Sequence, residues 1–416
     1  MLSPFRLKDR LFYGWVVVAT FFIAGTAIWG IRFSFGVFFK SIESEFDLTR
    51  AATSAVFSTL LVTGGACSIL GGWAIDRYGP RIVLCLMGLF TGLGLLLTSQ
   101  TSATWQLFIT YGLLLAIGSG ATYVVIMSTV SRWFDKKRGL AVGLAGSGGG
   151  LGPLITAPFA TYILIKFNWR IAFIIIGLIA WLVVIPISRL VKKSPYEIGA
   201  LPDGIKTPSK EVKNEKDTDQ PSGLSVLETF KTRGFWLVIF IWLLFSFCMF
   251  LVITHIIPHA TDIGISAVEA AAVLSLMGGT RAAGMVLLGS VADRVGRKKI
   301  AIICTLFQAG VMAWLIWAQG LWMLCLFAIV YGLASGGLLS SITALLGDTF
   351  GLNRIDSILG VLGVAWAIGA ATGPVIGGLV FDISNSYSLA FLLGAVAMAI
   401  IAPLTALIRR ETGENF

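Results

Sequence analysis

The sequence predicts an all-α membrane protein whose twelve transmembrane helices form two pseudo-symmetric six-helix bundles. Three observations predict it. Of its 416 residues 56% are hydrophobic and only 12% charged, with a mean hydropathy of +0.89, a composition foreign to ordinary water-soluble domains. Twelve apolar runs approach the roughly 20 residues that cross a bilayer as a helix. Short motifs also recur, in order and at nearly constant spacing, between the first and second halves of the chain.

The runs lie near 14–39, 52–75, 82–99, 105–131, 139–165, 171–188, 235–261, 267–292, 300–318, 321–347, 355–381 and 387–408, and are numbered here as helices 1 to 12. Arg6, Lys8 and Arg10 before the first run read as a cytoplasmic anchor rather than the start of a cleavable signal. The excess of 31 basic over 21 acidic residues reflects membrane orientation, not nucleic-acid binding. With the N-terminus inside, Lys40, Arg50, Lys166 and Arg170 are external, Arg32 and Arg281 are within helices, and all other Lys and Arg are cytoplasmic. An even helix count returns Arg409 and Arg410 to the same side, so both termini are expected in the cytoplasm of a multi-pass cell-membrane protein. The five cysteines (Cys67, Cys85, Cys248, Cys304, Cys325) are scattered singly through apolar runs and read as packing residues.

Polar residues and Pro195, Pro202, Pro208 and Pro221 divide the chain once. The expected organisation is an N-terminal bundle over 1–190, a cytoplasmic linker over 191–233 and a C-terminal bundle over 234–416. Gly72, Asp76, Arg77, Gly79 and Arg81 between helices 2 and 3 repeat as Gly289, Asp293, Arg294, Gly296 and Lys298 between helices 8 and 9, an offset of 217, with Arg297 beside them. Tyr111 and Gly112 repeat as Tyr331 and Gly332, an offset of 220, and Gly148, Gly152 and Pro153 as Gly369, Gly373 and Pro374, an offset of 221. Such spacing implies two bundles related by an axis along the membrane normal, the parallel-repeat plan of many carriers.

Arg281 is the most informative single residue. It lies about 14 residues, roughly 21 Å, into helix 8, with no acid at membrane depth in that helix. A lone cation there costs about 2.5–3.5 kcal/mol on insertion scales, so an intramembrane Arg marks a functional site by default. A guanidinium matches a carboxylate with two parallel hydrogen bonds, which makes a small organic anion the expected partner. The 48 glycines include runs at 64–65, 71–72, 118–120, 146–152 and 336–337, where helix backbones can approach and slide. No Lys-Ser/Thr follows the 146–152 run, so nucleotide hydrolysis has no visible apparatus and gradients are the expected energy source.

The Gly-x-x-x-Asp-Arg-x-Gly loops in both halves resemble the hallmark of the major facilitator superfamily. Within it, Tyr13, Gly14, Trp15, Ser34 and Gly36 in helix 1, the stretch His255, Pro258, His259 and Asp262 ending helix 7, and Arg132, Trp133, Arg138 and Gly139 after helix 4 resemble the monocarboxylate transporter and oxalate:formate antiporter group. The resemblance implies a cytoplasmic gate built from Asp76, Arg77, Arg81, Asp293, Arg294 and Arg297, with incidental anchoring as the plainer role for the same charges. It also places Arg281 at or next to the arginine that binds the substrate carboxylate. Animal monocarboxylate transporters carry an Asp one turn before that arginine, where this chain has Met277, and a Lys in helix 1, whose register Arg32 misses by about one residue. The second cation of an oxalate carrier, in helix 11, is also absent, the segment around Trp366 being uncharged. One deep cation suits a monoanion better than a dianion.

Around Arg281, the resemblance suggests Tyr123 and Tyr331 as cavity hydroxyls, with membrane-interface packing the alternative for Tyr331. Arg32 either touches substrate or lines an external vestibule. Trp29, Phe33 and Trp366 are large enough to wall a small cavity or simply pack, and Thr280 is a polar neighbour. His255 titrates in the physiological range and is a candidate proton carrier, with burial and backbone hydrogen bonding the alternative. His255 and His259 lack a third ligand for a metal, and no cofactor is expected. No membrane-embedded carboxylate suggests a cation exporter, and Gln308 is the only clear mid-helix amide, which disfavours a sugar carrier. The reading is therefore a monomeric, non-enzymatic carrier of small monocarboxylates of the lactate or pyruvate kind, working as a proton-coupled symporter by alternating access. Carboxylate antiport and a non-transporting sensor are the alternatives.

Overall fold

The computed structural model describes residues 12–135, 137–204, 232–350 and 355–408. Among these described residues, twelve helices have the length and hydropathy to cross a membrane and are labelled α1 to α12. The first six are α1 (Tyr13–Glu45), α2 (Arg50–Tyr78), α3 (Pro80–Thr98), α4 (Thr104–Trp133), α5 (Leu140–Lys166) and α6 (Trp169–Ser188). The second six are α7 (Arg233–Asp262), α8 (Ala267–Val295), α9 (Arg297–Trp314), α10 (Leu321–Phe350), α11 (Ile355–Ser384) and α12 (Ser388–Leu407). They form two pseudo-symmetric six-helix bundles. The outward faces are apolar, with Leu70, Leu182, Val286 and Ile383 all more than 60% exposed, as required of surfaces that meet acyl chains rather than water.

The repeat in the sequence becomes a match of helix geometry, clearest between α2 and α8. Thr49 caps α2 by accepting from Ala52 N, and Ser266 caps α8 in a reciprocal box with Glu269. The turn before each cap passes through the left-handed region, at Asp47 (φ 48°) and Gly264 (φ 89°). Each helix has 29 residues and stops at a glycine with positive φ, Gly79 (84°) or Gly296 (113°). Both therefore run in one register from cap to cap.

Two interruptions bear on the site. α1 is interrupted at Ser34 (φ −86°, ψ 8°), whose hydroxyl joins its own amide on Gly30 O and shares that acceptor of the regular ladder. In α4, Phe108–Leu114 form a π-helical turn, the kind of irregularity that re-aims side chains at functional sites. Tyr111 stands in the middle of it.

The halves meet along α2 with α11, α5 with α8, and the end of α1 with α7. Small residues set the spacing. A Cβ on Gly150 would lie 3.0 Å from Gly278 O and 2.8 Å from Ala282 Cβ, and one on Gly36 would lie 3.1 Å from Ile253 O. The pseudo-symmetry extends to hydrogen bonds across this interface: Ser58 donates to Ala371 O (2.6 Å), and its repeat mate Ser275 donates to Pro153 O (3.5 Å).

Candidate functional site

Arg281 is the fifteenth residue of the 29 in α8, midway along the helix and at the interface of the halves. It borders a small cavity of about 20 Å³, lined from one half by Phe33, Gly149 and Pro153 and from the other by Met249, Ile253, Leu274, Met277, Gly278, Tyr331 and Ser335. That space holds about one water. The nearest polar partner of the guanidinium is a thioether: Nη1 lies 3.1 Å from Met249 Sδ, a weak acceptor. Among the described residues no carboxylate comes within 4.0 Å of Arg281. The adjacent Tyr331 is 1% exposed, and its hydroxyl is buried without a hydrogen-bond partner. A full charge and an unpartnered donor thus converge on one apolar cavity, an arrangement that an anion would complete.

The other residues singled out from the sequence fall in several places. Phe33 lines the cavity and packs against Phe250, with ring centroids 6.0 Å apart. Trp29 stands behind Gly149, whose Cβ would meet its ring at 3.3 Å. Trp366 packs within its own half on Trp242 and Phe245, away from the cavity lining. Thr280 gives its hydroxyl to Leu276 O and to Ala328 O at 3.1 Å, joining α8 to α10. Tyr123 is 53% exposed and outside the cavity lining. The guanidinium of Arg32 points instead at Gly64 of α2, with Nη2 3.5 Å from the position of a Cβ there.

At the end of the bundle carrying Arg50, a polar network joins the halves. Arg50 is the residue that the sequence reading missed, having counted it only as an external charge. It donates to Asp262 from Nη1 at 2.6 Å and from Nη2 at 3.0 Å, to Tyr387 Oη from Nη1 at 2.6 Å and to Glu43 from Nε at 3.2 Å. Its guanidinium also stacks 3.6 Å from the Phe381 ring centroid. Lys40 is a second partner of Asp262. From α11, Asp382 accepts the backbone N–H groups of Arg50 and Ala51, both at 2.9 Å. A carboxylate of one half thereby caps a helix N-terminus of the other. A signal was present in the sequence, since Glu43, Arg50, Asp262 and Asp382 all fall at ends of apolar runs on one side; nothing there indicates that they meet.

His255 belongs to this network rather than to the cavity. Its Nε2 lies 2.8 Å from Pro374 O, its Nδ1 3.1 Å from Tyr387 Oη, and it is fully buried. A carbonyl can only accept, so Nε2 carries the hydrogen and donates. Tyr387 accepts from Arg50; toward Nδ1 it donates when the imidazole is neutral and accepts when the ring is protonated.

At the opposite end, Asp76 accepts from Arg132 at 3.2 Å and its carbonyl from Lys193 Nζ at 3.2 Å. These bonds tie α2 to α4 and to the segment after α6 within one half. Arg77 stacks on Trp73 and Tyr78, and Arg81 and Arg294 are exposed. The side chain of Asp293 lies outside the described residues. Arg297 opens α9.

Two bundles enclosing a buried cation at their common interface have the build of a secondary membrane carrier. The chain belongs to the Major Facilitator Superfamily, whose model matches residues 17–289 and 256–415. It is 26% identical to monocarboxylate transporter 12 of Xenopus laevis, over 93% of this chain and 86% of that protein, and 26% identical to monocarboxylate transporter 13 of Rattus norvegicus, over 93% and 87%. Monocarboxylate transporter 11 of Homo sapiens is 26% identical over 92% of this chain and 80% of its own length. Among solved structures, a bacterial homologue of the human lysosomal transporter Spinster, in an inward-facing and unoccupied conformation, matches with a TM-score of 0.68 over 96% of both chains at 15% identity. The protein is thus a major facilitator transporter related to the monocarboxylate transporters, a multi-pass membrane protein and not an enzyme.

Proposed function

We propose that this transporter carries small carboxylates, with acids the size of lactate and pyruvate as its simplest substrates, and that Arg281 binds the carboxylate. The uncompensated guanidinium in the interface cavity carries this reading. Tyr331 donates a further hydrogen bond, while Phe33, Met249 and Met277 limit the space around the organic part. Binding at an interface that both halves line lets them rock about the anion, exposing it to one side and then the other.

With the N-terminus taken as cytoplasmic, the Arg50 network faces outward and closes the external entrance. His255 offers a route for proton coupling. A proton on Nδ1 removes the acceptor that Tyr387 uses and adds positive charge beside Arg50, which loosens the closure and links an external proton to opening. The bound carboxylate neutralises Arg281, making the loaded site easier to move across the apolar interface.

Reconstituted proteoliposomes test the reading. Labelled lactate or pyruvate is expected to enter along an imposed pH gradient, and Arg281→Met to abolish entry while leaving the protein monodisperse. Undiminished uptake by that variant overturns the site assignment. Uptake that requires internal carboxylate indicates exchange, and binding without flux indicates a sensor.

A further inference from the structure

Repeat symmetry places Arg281 and Arg32 in one relationship that neither helix shows alone. In the register shared by α2 and α8, the mate of Arg281 is Gly64. Counted back from the matching ends of α1 and α7, Glu45 and Asp262, the mate of Arg32 is Met249. In the second half Arg281 of α8 reaches Met249 of α7; in the first half Arg32 of α1 reaches the space left by Gly64 of α2. The two pairs of positions correspond, with the arginine on the other helix of the pair and a glycine in place of the methionine. The mated tyrosine near the guanidinium of each half, Tyr331 or Tyr111, is 1% exposed. The π-helical turn of α4 holds Tyr111 in place. Arg32 Nε is buried without a hydrogen-bond partner, and among the described residues no carboxylate pairs with either arginine.

From this we infer a second carboxylate-binding position in the N-terminal half, formed by Arg32 over Gly64 beside Tyr111, so that the carrier takes up two carboxylate groups per cycle. The inference rests on Arg281 being the first position. It revises the expectation from sequence that one deep cation selects a monoanion: two uncompensated guanidinium groups, one per half, are neutralised by two carboxylates. A single small dicarboxylic acid and a pair of monocarboxylates offer the same chemistry, and the measurement separates them.

Purified full-length protein is titrated with lactate and with succinate by isothermal calorimetry. Two lactates per protein, or one succinate bound about tenfold or more tighter than lactate, are expected. Arg32→Met is expected to leave one lactate at near wild-type affinity, a site that Arg281→Met then removes, and to lose the succinate advantage. Adding Gly64→Arg to Arg32→Met copies the Met249 and Arg281 arrangement into the first half and is expected to restore the second carboxylate. One lactate per wild-type protein with no succinate advantage overturns the inference and leaves the Arg281 reading standing. So does complete loss of binding in Arg32→Met without rescue by Gly64→Arg, because Arg32 then only supports the Arg281 site. If Arg281→Met keeps full lactate binding while Arg32→Met loses it, the Arg281 reading fails instead.

Discussion

Arg50 and Asp262 form a two-pronged ion pair between the two halves, at 2.6 and 3.0 Å, at the end of the bundle farthest from Asp76. Together with Asp382 capping α2, it ties three helix ends into one closure. Removing one partner of such a pair leaves the other charge uncompensated, which costs on the order of 2–5 kcal/mol. Asp262→Asn is therefore expected to shift the population toward the state open at this end. The check is labelling of a cysteine placed at Phe33, in a protein stripped of native cysteines. Labelling from the Arg50 side should rise about tenfold or more, and unchanged labelling would remove the gating role.

Protonation of His255 removes the acceptor that Tyr387 uses when the ring is neutral and places a positive charge in the network that holds Arg50. Acidification is expected to increase opening at the Arg50 end, and His255→Asn to flatten that response. The same cysteine accessibility, measured as the pH is lowered, decides it: a wild-type response that persists in His255→Asn assigns the proton to another group.

The crossing of α5 and α8 has no room for a side chain at Gly150. Gly150→Val places methyl groups against Ala282 and the Gly278 backbone, an overpacking that costs about 1–3 kcal/mol. The variant should fold, bind substrate weakly and cycle slowly, with transport reduced about fivefold or more. Normal turnover would show that the crossing separates during transport more easily than its packing suggests.

Met277 lines the cavity one turn before Arg281. An acid there competes with substrate for the guanidinium. Met277→Asp is expected to weaken lactate binding about tenfold at neutral pH, with partial recovery as the pH falls and the new carboxyl is protonated. A calorimetric titration at two pH values reads both effects, and stronger binding at neutral pH would contradict the proposed role of Arg281.

Class, helix count and the deep cation were legible in the sequence because each depends on properties local to a helix. Apolar length dictates a span in a solvent that cannot hydrogen-bond the backbone, and an arginine fourteen residues from a helix end is too deep to snorkel to either membrane surface. The repeat was legible through Gly79 and Gly296, since positive φ restricts both positions to glycine in the same turn. Contacts between helices were not. Arg50 reads as an external charge until Asp262, 212 residues away, closes on it. Tyr123 and Tyr331 are equivalent in residue type, yet the fold exposes one and buries the other beside Arg281. Thr280, adjacent to Arg281 in sequence, turns toward α10 because successive helical residues face different directions. The sequence by itself determined that this is a twelve-helix carrier with an unpaired charge at half-depth, because bilayer solvation acts on each helix separately. Only the tertiary structure decided which groups face that charge and which close the entrance, because packing and electrostatic pairing depend on where two bundles place residues hundreds of positions apart.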